Sequence, residues 1–287
     1  MTSFASRWLC AGRVLDLTAR PLVMGILNVT PDSFSDGGEH HRLEDALAWA
    51  RRLADEGADI IDVGGESTRP GFSEDAVTLE EERRRVLPVV RALALEGFIV
   101  SVDTSKPEIM TETAELGAAI LNDVRGFERP GAIEAAAATQ CGLVVMHRAI
   151  NEPLQNASAE VEAYLRARQR ELERLGVQRE RICWDPGFGF GKSVEQNFEL
   201  LAATPSFAAS GQPLMTAISR KSSIGAVIGA QSPKDRVAGS VAGAVLAAQL
   251  GAQVLRVHDV RETADALAVL GAIRMAQRRL STRSATM

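Results

Sequence analysis

The chain has 287 residues, of which 46% are hydrophobic and 24% charged, a composition typical of a globular protein with one large core. Its formal net charge of −5 argues against nucleic acid as a partner, because a surface that binds a phosphate backbone needs a basic excess. The sequence shows no membrane-length apolar run, no signal-peptide pattern, and three cysteines without the spacing of a zinc site. We therefore expect a soluble, cytoplasmic protein with reduced cysteines and no membrane partner.

Eight short apolar runs recur along the chain, most of them nearly continuous in Val, Ile, Leu and Met. Runs of this kind are typical of parallel strands that are buried on both faces. The eight predicted strands are Leu22–Leu27, Ala58–Val63, Phe98–Val102, Ala118–Leu121, Leu143–Met146, Arg181–Trp184, Pro213–Ile218 and Gln253–Val257.

Amphipathic helical patterns separate these runs. The first covers residues 42–56 and ends before Gly57, which can adopt the left-handed conformation that follows many helices. Four further helix starts are marked by a capping pattern or a proline, namely Thr78 with Glu81, Pro107, Ser193 with Gln196, and Ser232 with Pro233. The remaining helices are predicted over 130–139, 157–175 and 259–279.

Eight strand–helix units of this length predict an α/β protein with a closed (β/α)8 TIM barrel, in one domain over residues 1–287 with a core from about 21 to 279. A doubly wound open sheet is the alternative. Arg13–Leu17 alternates like a strand ahead of the first barrel strand, so we expect a short N-terminal hairpin that caps the barrel bottom. The polar tail from Arg278 is expected to be frayed.

Every predicted strand ends in polar residues, where barrel enzymes carry their active sites. These residues are Asn28, Asp62, Asp103, Asn122 with Asp123, His147, Asp185, Ser219 to Lys221, and Arg256 with His258. A single Asp after a strand is often only a helix cap. Asn, Lys, Arg and His do not all suit that role, so the pattern predicts one shared pocket at the barrel mouth.

Two long glycine-rich loops follow the first and second predicted strands, at Val29–Gly38 and Gly64–Phe72. We interpret them as covers over the pocket, with ordinary surface turns as the alternative. The glycine-rich run Asp185–Ser193 does not match a nucleotide-binding P-loop, because Pro186 stands where that motif needs a glycine.

Seven segments, in this order, together resemble the dihydropteroate synthase family of pterin-binding enzymes. They are NVTPDSFSDGG (28–38), DVGGESTRPG (62–71), SVDTSKP (101–107), NDVRGF (122–127), DPGFGFGK (185–192), SRKS (219–222) and RVHDV (256–260). The resemblance covers about residues 21 to 275. It implies a TIM-barrel transferase of folate biosynthesis, commonly a homodimer and a sulfonamide target, that uses Mg2+. The implied reaction joins 6-hydroxymethyl-7,8-dihydropterin diphosphate to 4-aminobenzoate and releases diphosphate.

The resemblance also implies which residues bind the pterin. Asp103, Asn122, Asp185 and Lys221 match the family's pterin-binding positions. Carboxylates can accept the N–H groups of a pterin edge, and Asn and Lys can meet its acceptors. Met146 is expected to pack against the flat ring, although a simple core role remains open.

For the diphosphate, the resemblance implies Asn28, Thr68, Arg256 and His258. Arg256 can make bidentate contacts to phosphate oxygens, and the two-residue spacing on a strand end puts Arg256 and His258 on one face. Asn28 is the expected protein ligand of Mg2+, whose other ligands would be diphosphate oxygens and water.

For 4-aminobenzoate, the resemblance implies Phe34, Arg69, Pro70, Phe190 and Ser222. Phe190 and Pro70 would sandwich the aromatic ring. Ser222, near a helix N-terminus, would receive the carboxylate, and Arg69 would close the anionic site.

We expect catalysis to depend on Asp103, Asp185, Lys221, Arg256 and His258. In this hypothesis the carboxylates favour a pterin methylene cation, while Arg256, His258 and Mg2+ stabilise the departing diphosphate. The neutral arylamine then attacks without a dedicated base.

Two positions depart from the family's usual pattern. Arg148–Pro153 replaces a common Gly-Asn-Pro run, and Ala217 stands where a glycine is common. Two alternatives therefore stay open. One is a pterin-dependent methyltransferase that shares the barrel but does not need the diphosphate residues. The other is a non-catalytic pterin-binding paralogue.

Overall fold

Eight parallel strands follow a two-stranded hairpin in the computed structural model, which describes residues 4–30, 39–66, 77–149 and 154–284. The strands are β1 Arg7–Cys10, β2 Arg13–Asp16, β3 Leu22–Asn28, β4 Ile60–Gly64, β5 Val100–Asp103, β6 Ile120–Asp123, β7 Gly142–Met146, β8 Ile182–Asp185, β9 Met215–Thr216 and β10 Val254–Val257. The helices are α1 Glu39–Asp55, α2 Leu79–Leu95, α3 Pro107–Glu115, α4 Ala132–Ala138, α5 Ala157–Arg174, α6 Val194–Ala202, α7 Thr204–Ala208, α8 Ser222–Ile228, α9 Val237–Leu250 and α10 Val260–Ser284.

The parallel strands form a barrel rather than an open sheet. Their order is β8-β7-β6-β5-β4-β3-β10-β9, and a parallel bridge between Trp184 and Leu214 joins the two ends. The main-chain N–H of Trp184 also donates to the carbonyl oxygen of Pro213 at 2.8 Å. The (β/α)8 prediction is therefore confirmed, and the doubly wound alternative is wrong.

Each predicted apolar run overlaps one strand, most of them to within two residues at either end, and the predicted caps lie where the helices begin. Ser193 and Gln196 form a complete capping box at α6, and Pro107 opens α3. Ser232 caps a 3-10 turn, Pro233–Arg236, that leads directly into α9.

Three features of the helices differ from the sequence predictions. The short helices α7 and α8 were not predicted, because five and seven residues are too few to show a clear period. The expectation of a frayed tail from Arg278 is wrong, since α10 continues to Ser284. Residues 276–280 (AQRRL) are all strong helix formers and extend the last turns.

The hairpin covers the amino-terminal end of the barrel, as predicted. β1 and β2 pair antiparallel, and Trp8 Nε1 donates to the carbonyl oxygen of Arg181 at 2.9 Å. Hairpin and barrel side chains form one apolar cluster inside this end, made of Trp8, Cys10, Leu15, Leu17, Met24, Ile60, Ala119, Ile120, Val144, Cys183, Met215 and Val254. A larger apolar cluster fills the layer between the strands and the helices.

The inward face of four strands, β4, β6, β8 and β10, changes from apolar to polar toward the carboxyl end. Side chains two residues apart point to the same face of a strand, so each residue of the inner cluster is followed by one nearer the carboxyl end. Six such pairs are Ile60 and Asp62, Ile120 and Asn122, Val144 and Met146, Cys183 and Asp185, Met215 and Ala217, and Val254 and Arg256. The predicted site residues Asn122, Met146, Asp185 and Arg256 therefore face the barrel interior, above this apolar cluster.

Among the helices of the described residues, none is both long enough and apolar enough to cross a membrane.

Candidate active site

The strand register places the carboxyl-terminal residues of β3, β4 and β5 beside Asn122 of β6. Asn28 is opposite Gly64, Gly64 is opposite Asp103, and Asp103 is opposite Asn122. A Cβ at Gly64 would lie 3.7 Å from Asn28 Oδ1 and 3.6 Å from Asp103 Cβ. The glycine leaves the space between these two side chains open, so they line one continuous rim.

Arg256 binds two carboxylates at the centre of this rim. Its Nε donates to Asp62 Oδ2 at 2.7 Å, and its Nη2 donates to Asp103 Oδ2 at 2.7 Å. Asn122 Nδ2 donates to Asp62 Oδ2 at 3.3 Å. Asp62 is 0% exposed and was not assigned a role from the sequence, although its place at a polar strand tip was the available signal.

The charges in this cluster do not balance. Burial raises the pKa of Asp103 to about 7; Arg256 opposes this rise, and Asp62, Asp123 and Glu82 add to it. Burial also works against the charge of Arg256, yet Asp62 and Asp103 raise the pKa of its guanidinium above the ordinary value. Arg256 therefore stays charged, and one guanidinium faces two buried carboxylates.

The raised pKa of Asp103 has a consequence for stability. Between about pH 4 and pH 7 the folded protein keeps a proton on Asp103 that the unfolded chain has released, so this residue makes the free energy of unfolding fall as pH rises. Urea unfolding of the wild type and of Asp103→Asn at several pH values measures this contribution. The variant should show a shallower fall over this window, and identical slopes would contradict the assignment.

Asp185 and Lys221 form a second charged group on the opposite side of the mouth. Burial raises the pKa of Asp185, whereas the Gly187 N–H at 2.8 Å and the ammonium groups of Lys221 and Lys192 lower it. Burial lowers the pKa of Lys221 to about 8, against the attraction of Asp185. Lys221 donates to the Phe188 carbonyl oxygen, and its Nζ lies 4.3 Å from the centre of the Phe190 ring.

The loop after β8 is held closely against the loop after β7. Lys192 Nζ donates to the carbonyl oxygens of His147 at 3.1 Å and Gly187 at 2.7 Å. Asn197 of α6 accepts the N–H of Gly189 through Oδ1 at 2.6 Å. These contacts hold Phe190 at a φ of 23°, which non-glycine residues rarely adopt.

Gly187 is the position where this packing leaves no room for a side chain. Its φ is +74°, and a Cβ would lie 1.8 Å from the carbonyl oxygen of His147. Gly187→Ala is expected to lower the free energy of unfolding by more than about 3 kcal/mol and to weaken binding of 4-aminobenzoate, the substrate that the sequence resemblance implies. Chemical denaturation and calorimetry measure the two effects.

Gly176→Ala is the matched control, because Gly176 has a φ of +88° but no described atom within 4 Å of its Cβ position. The control should lose only the roughly 1–2 kcal/mol of a left-handed alanine. Equal losses at the two positions would show that the close approach of the loops is unimportant.

The remaining described candidates follow β9 and β10 or, in the case of Met146, end β7. His258 follows Arg256 by two residues and contacts Ser219, whose Oγ is 3.1 Å from His258 Nδ1. Ser222 is the first residue of α8 and is exposed. Met146 is opposite Asp185 in the register and is 2% exposed. The structure thus brings the described candidates together at one end of the barrel.

Four predicted substrate residues lie outside the described residues, namely Phe34, Thr68, Arg69 and Pro70. Most of the two predicted cover loops also lies there. Within residues 4–30, 39–66, 77–149 and 154–284, no three His, Cys, Asp or Glu side chains are grouped so that they could hold a metal ion.

Comparisons with known proteins identify the family of this chain. The family model described as "Pterin binding enzyme" matches residues 24–258. Dihydropteroate synthase of Escherichia coli strain K12 is 48% identical over 269 residues, which cover 91% of this chain and 94% of that protein.

Two solved structures of Xanthomonas albilineans dihydropteroate synthase share the fold. One, with 4-aminobenzoic acid, has a TM-score of 0.89 and 49% identity, covering 94% of this chain and 98% of that chain. The other, in complex with 7,8-dihydropteroate, has a TM-score of 0.86 and 47% identity, covering 93% and 98%. The chain therefore belongs to the dihydropteroate synthase family of pterin-binding enzymes.

Proposed function

We propose that this chain condenses 6-hydroxymethyl-7,8-dihydropterin diphosphate with 4-aminobenzoate, giving 7,8-dihydropteroate and diphosphate in tetrahydrofolate biosynthesis. The observation that carries the proposal is the arrangement of buried carboxylates and cations around one barrel mouth, with Arg256 bound to Asp62 and Asp103. The bound molecules of the Xanthomonas albilineans enzyme, 4-aminobenzoic acid and 7,8-dihydropteroate, support the two halves of the substrate site.

In this proposal the pterin binds between Asp103, Asn122, Asp185 and Lys221, with Met146 against its ring. Asp103 and Asp185 are 8% and 2% exposed, so a carboxylate oxygen there finds few water donors and binds ring N–H groups instead. Lys221 donates to the pterin's acceptors. Its attachment to the Phe188 carbonyl supports this role, because it holds the ammonium beside Asp185.

The diphosphate binds at Asn28, Thr68, Arg256 and His258. Arg256 already holds two carboxylates, so its guanidinium is oriented before substrate arrives and reaches the anion with its remaining N–H groups. His258 donates from its ring, two residues further along β10.

Mg2+ fits this set of residues. Mg2+ prefers oxygen ligands, keeps several waters and commonly shares substrate phosphates, so the Asn28 amide oxygen suffices as the protein ligand. The open space above Gly64 supports access to that oxygen. When bound, Mg2+ supplies positive charge that partly neutralises the diphosphate.

The second substrate binds on the outer side of the pterin. Phe190 and Pro70 enclose the ring of 4-aminobenzoate, Phe34 lines the same pocket, Ser222 receives the carboxylate and Arg69 closes the anionic side. The exposed position of Ser222 at the start of α8 supports its role, since a substrate anion can approach both its hydroxyl and nearby N–H groups. Sulfonamides, which mimic 4-aminobenzoate, would bind here.

The reaction begins with heterolysis of the C–O bond between the pterin methylene and the diphosphate. The electron pair leaves with the diphosphate, which Arg256 and His258 hold, and the methylene carbon becomes cationic. Asp103 and Asp185 stabilise that cation through their negative charge. The arylamine lone pair then forms the C–N bond, and the ammonium loses one proton to solvent.

Release of pyrophosphate by the purified protein tests the proposal. Release is expected only with both substrates, to stop when a chelator removes Mg2+, and to be inhibited by a sulfonamide in competition with 4-aminobenzoate. An absence of release at micromolar enzyme would contradict the proposal and favour a non-catalytic pterin-binding protein.

We also propose a cytoplasmic homodimer. The outer helices support a subunit interface, because α9 and α10 expose large apolar side chains, with Leu246 at 55%, Val269 at 62% and Ile273 at 50%. Light scattering of the purified protein measures the mass, and a monomer at micromolar concentration would contradict the dimer.

A further inference from the structure

Ser219 Oγ lies between two nitrogen atoms of the same residue, His258. It is 3.2 Å from the main-chain nitrogen and 3.1 Å from the imidazole Nδ1. Ser219 is only 5% exposed, so its hydroxyl has little access to water as an alternative partner. The SRKS segment contains this serine, and none of the substrate roles described above uses it.

The two contacts constrain where the protons lie. A main-chain N–H can only donate, so Ser219 Oγ accepts from His258 N. The hydroxyl proton remains to be donated, and Nδ1 is the other partner of Oγ among the hydrogen bonds of the described residues. A hydroxyl that donates to Nδ1 requires a lone pair on that nitrogen, and the proton of a neutral imidazole must then lie on Nε2.

We propose that Ser219 is a positioning residue that holds His258 in its Nε2–H form, so that the outer ring nitrogen always donates to the departing diphosphate. The inference rests on the proposed function. A diphosphate offers only acceptor oxygens, so the opposite tautomer would direct a lone pair at an anion. In the imidazolium form both nitrogens carry protons, and Oγ can accept from Nδ1 instead. Nε2 therefore remains a donor in either charge state.

The main chain next to Ser219 is fixed by contacts from three other segments, namely the segment after β10, helix α9 and the 3-10 turn before α9. Arg220 has a φ of 57°, and its guanidinium Nε donates to Asp259 at 3.0 Å. Ser240 of α9 accepts the Arg220 N–H at 2.8 Å, and Arg236 donates to the Arg220 carbonyl oxygen at 2.9 Å. These contacts hold Arg220 in an uncommon backbone conformation, and they keep the Ser219 hydroxyl beside His258 at the end of β10.

The charged residues that neighbour Ser219 and His258 in sequence belong to two segments. Arg256 and Asp259 flank His258 along the chain, and Arg220 and Lys221 follow Ser219. Arg220 and Asp259 pair with each other, and Arg256 is held by Asp62 and Asp103. These pairings engage Arg220, Arg256 and Asp259 with groups other than the imidazole, whereas the Ser219 hydroxyl contacts His258 Nδ1 directly.

Nitrogen NMR of protein labelled with 15N-histidine tests the proton position directly, at a pH of about 8.5 where ordinary imidazoles are neutral. The His258 signals are assigned by their loss in His258→Gln. We expect a protonated Nε2 and an unprotonated Nδ1 in the wild type, a mixture of tautomers in Ser219→Ala, and the wild-type pattern in Ser219→Thr. A proton on Nδ1 in the wild type, or no change in Ser219→Ala, would overturn the inference.

Binding of inorganic pyrophosphate with Mg2+, measured by calorimetry, tests the consequence. Ser219→Ala is expected to weaken binding by about tenfold, the scale of one hydrogen bond to a charged group, and Ser219→Thr to restore it. A glutamine side chain has no tautomers. In a His258→Gln background, Ser219→Ala should therefore weaken pyrophosphate binding by no more than about twofold. Equal losses in both backgrounds would indicate a packing role and overturn the proposal.

The outcomes separate this inference from the proposed function. Thermal unfolding of the serine variants shows whether each remains folded. If wild-type protein binds no pyrophosphate, the proposed function fails, whereas the NMR result still decides the tautomer.

Discussion

Replacing Arg256 by glutamine is expected to reduce kcat/KM for pyrophosphate release by about a hundred- to a thousandfold, the scale of losing a main donor to the leaving group. The same change is expected to lower the free energy of unfolding by about 3 to 5 kcal/mol. It leaves Asp62 and Asp103 as two buried carboxylates without the cation that bonds both of them at 2.7 Å. Steady-state kinetics and urea unfolding measure the two losses.

Arg20→Gln is the matched control for this prediction. Arg20 also binds an aspartate, Asp59, but its side chain is 55% exposed, so water replaces the lost contact. Arg20→Gln should lower the free energy of unfolding by at most about 1 kcal/mol and leave kcat/KM unchanged.

A double variant separates charge from packing in the Arg256 cluster. Adding Asp103→Asn to Arg256→Gln should restore part of the lost stability, because it removes one of the two unpaired carboxylates. If the two changes simply add, the cost of the Arg256 variant comes from packing rather than from charge.

Replacing Asp103 by asparagine is the second large expected effect. Turnover at saturating concentrations of both substrates should fall by about a hundredfold or more, because a neutral amide cannot stabilise the pterin methylene cation. The loss should appear in kcat, since the amide keeps the size of the carboxylate and the charge matters most in the transition state. Near-normal turnover would contradict the assigned role.

The stability of Asp103→Asn distinguishes a catalytic loss from unfolding. At neutral pH the variant should be at least as stable as the wild type, because one guanidinium then faces a single carboxylate. Asp59→Asn, at the partly exposed Arg20 pair, is the control and should keep full turnover. A large loss of stability in Asp103→Asn would assign the residue a structural role instead.

The barrel could be predicted from the sequence because its strands are buried on both faces. Such strands appear as apolar runs that end abruptly in polar residues, and Asn28, Asp103, Asn122, Asp185 and Arg256 stand at those ends. The ends of the strands could not be predicted as closely. The predicted run Ala58–Val63, for example, starts two residues before β4, Ile60–Gly64, and ends one residue before β4 ends, because the hydrogen-bond ladder rather than hydropathy sets where a strand begins and ends.

The pairings within the site could not be predicted. Arg256 binds Asp62 across 194 positions of sequence, and Ser219 contacts His258 across 39. Asp62 carries the same signal as the other strand tips, so nothing in its local sequence shows that it holds the arginine. Lys192 donates to the main-chain carbonyl oxygen of His147. Every residue has such an oxygen, so the sequence does not show which one accepts this hydrogen bond.

The sequence by itself determined the eight strands, the polar tips and the family, because local periodicity and long motifs encode them. The tertiary structure decided which of the polar residues at the strand ends form ion pairs with one another. Closure of the barrel brings β4, β5 and β10 around one buried space, and there a single guanidinium must serve two carboxylates. The raised pKa of Asp103 follows from that enclosure, because burial and neighbouring charge depend on distances that only the folded chain has.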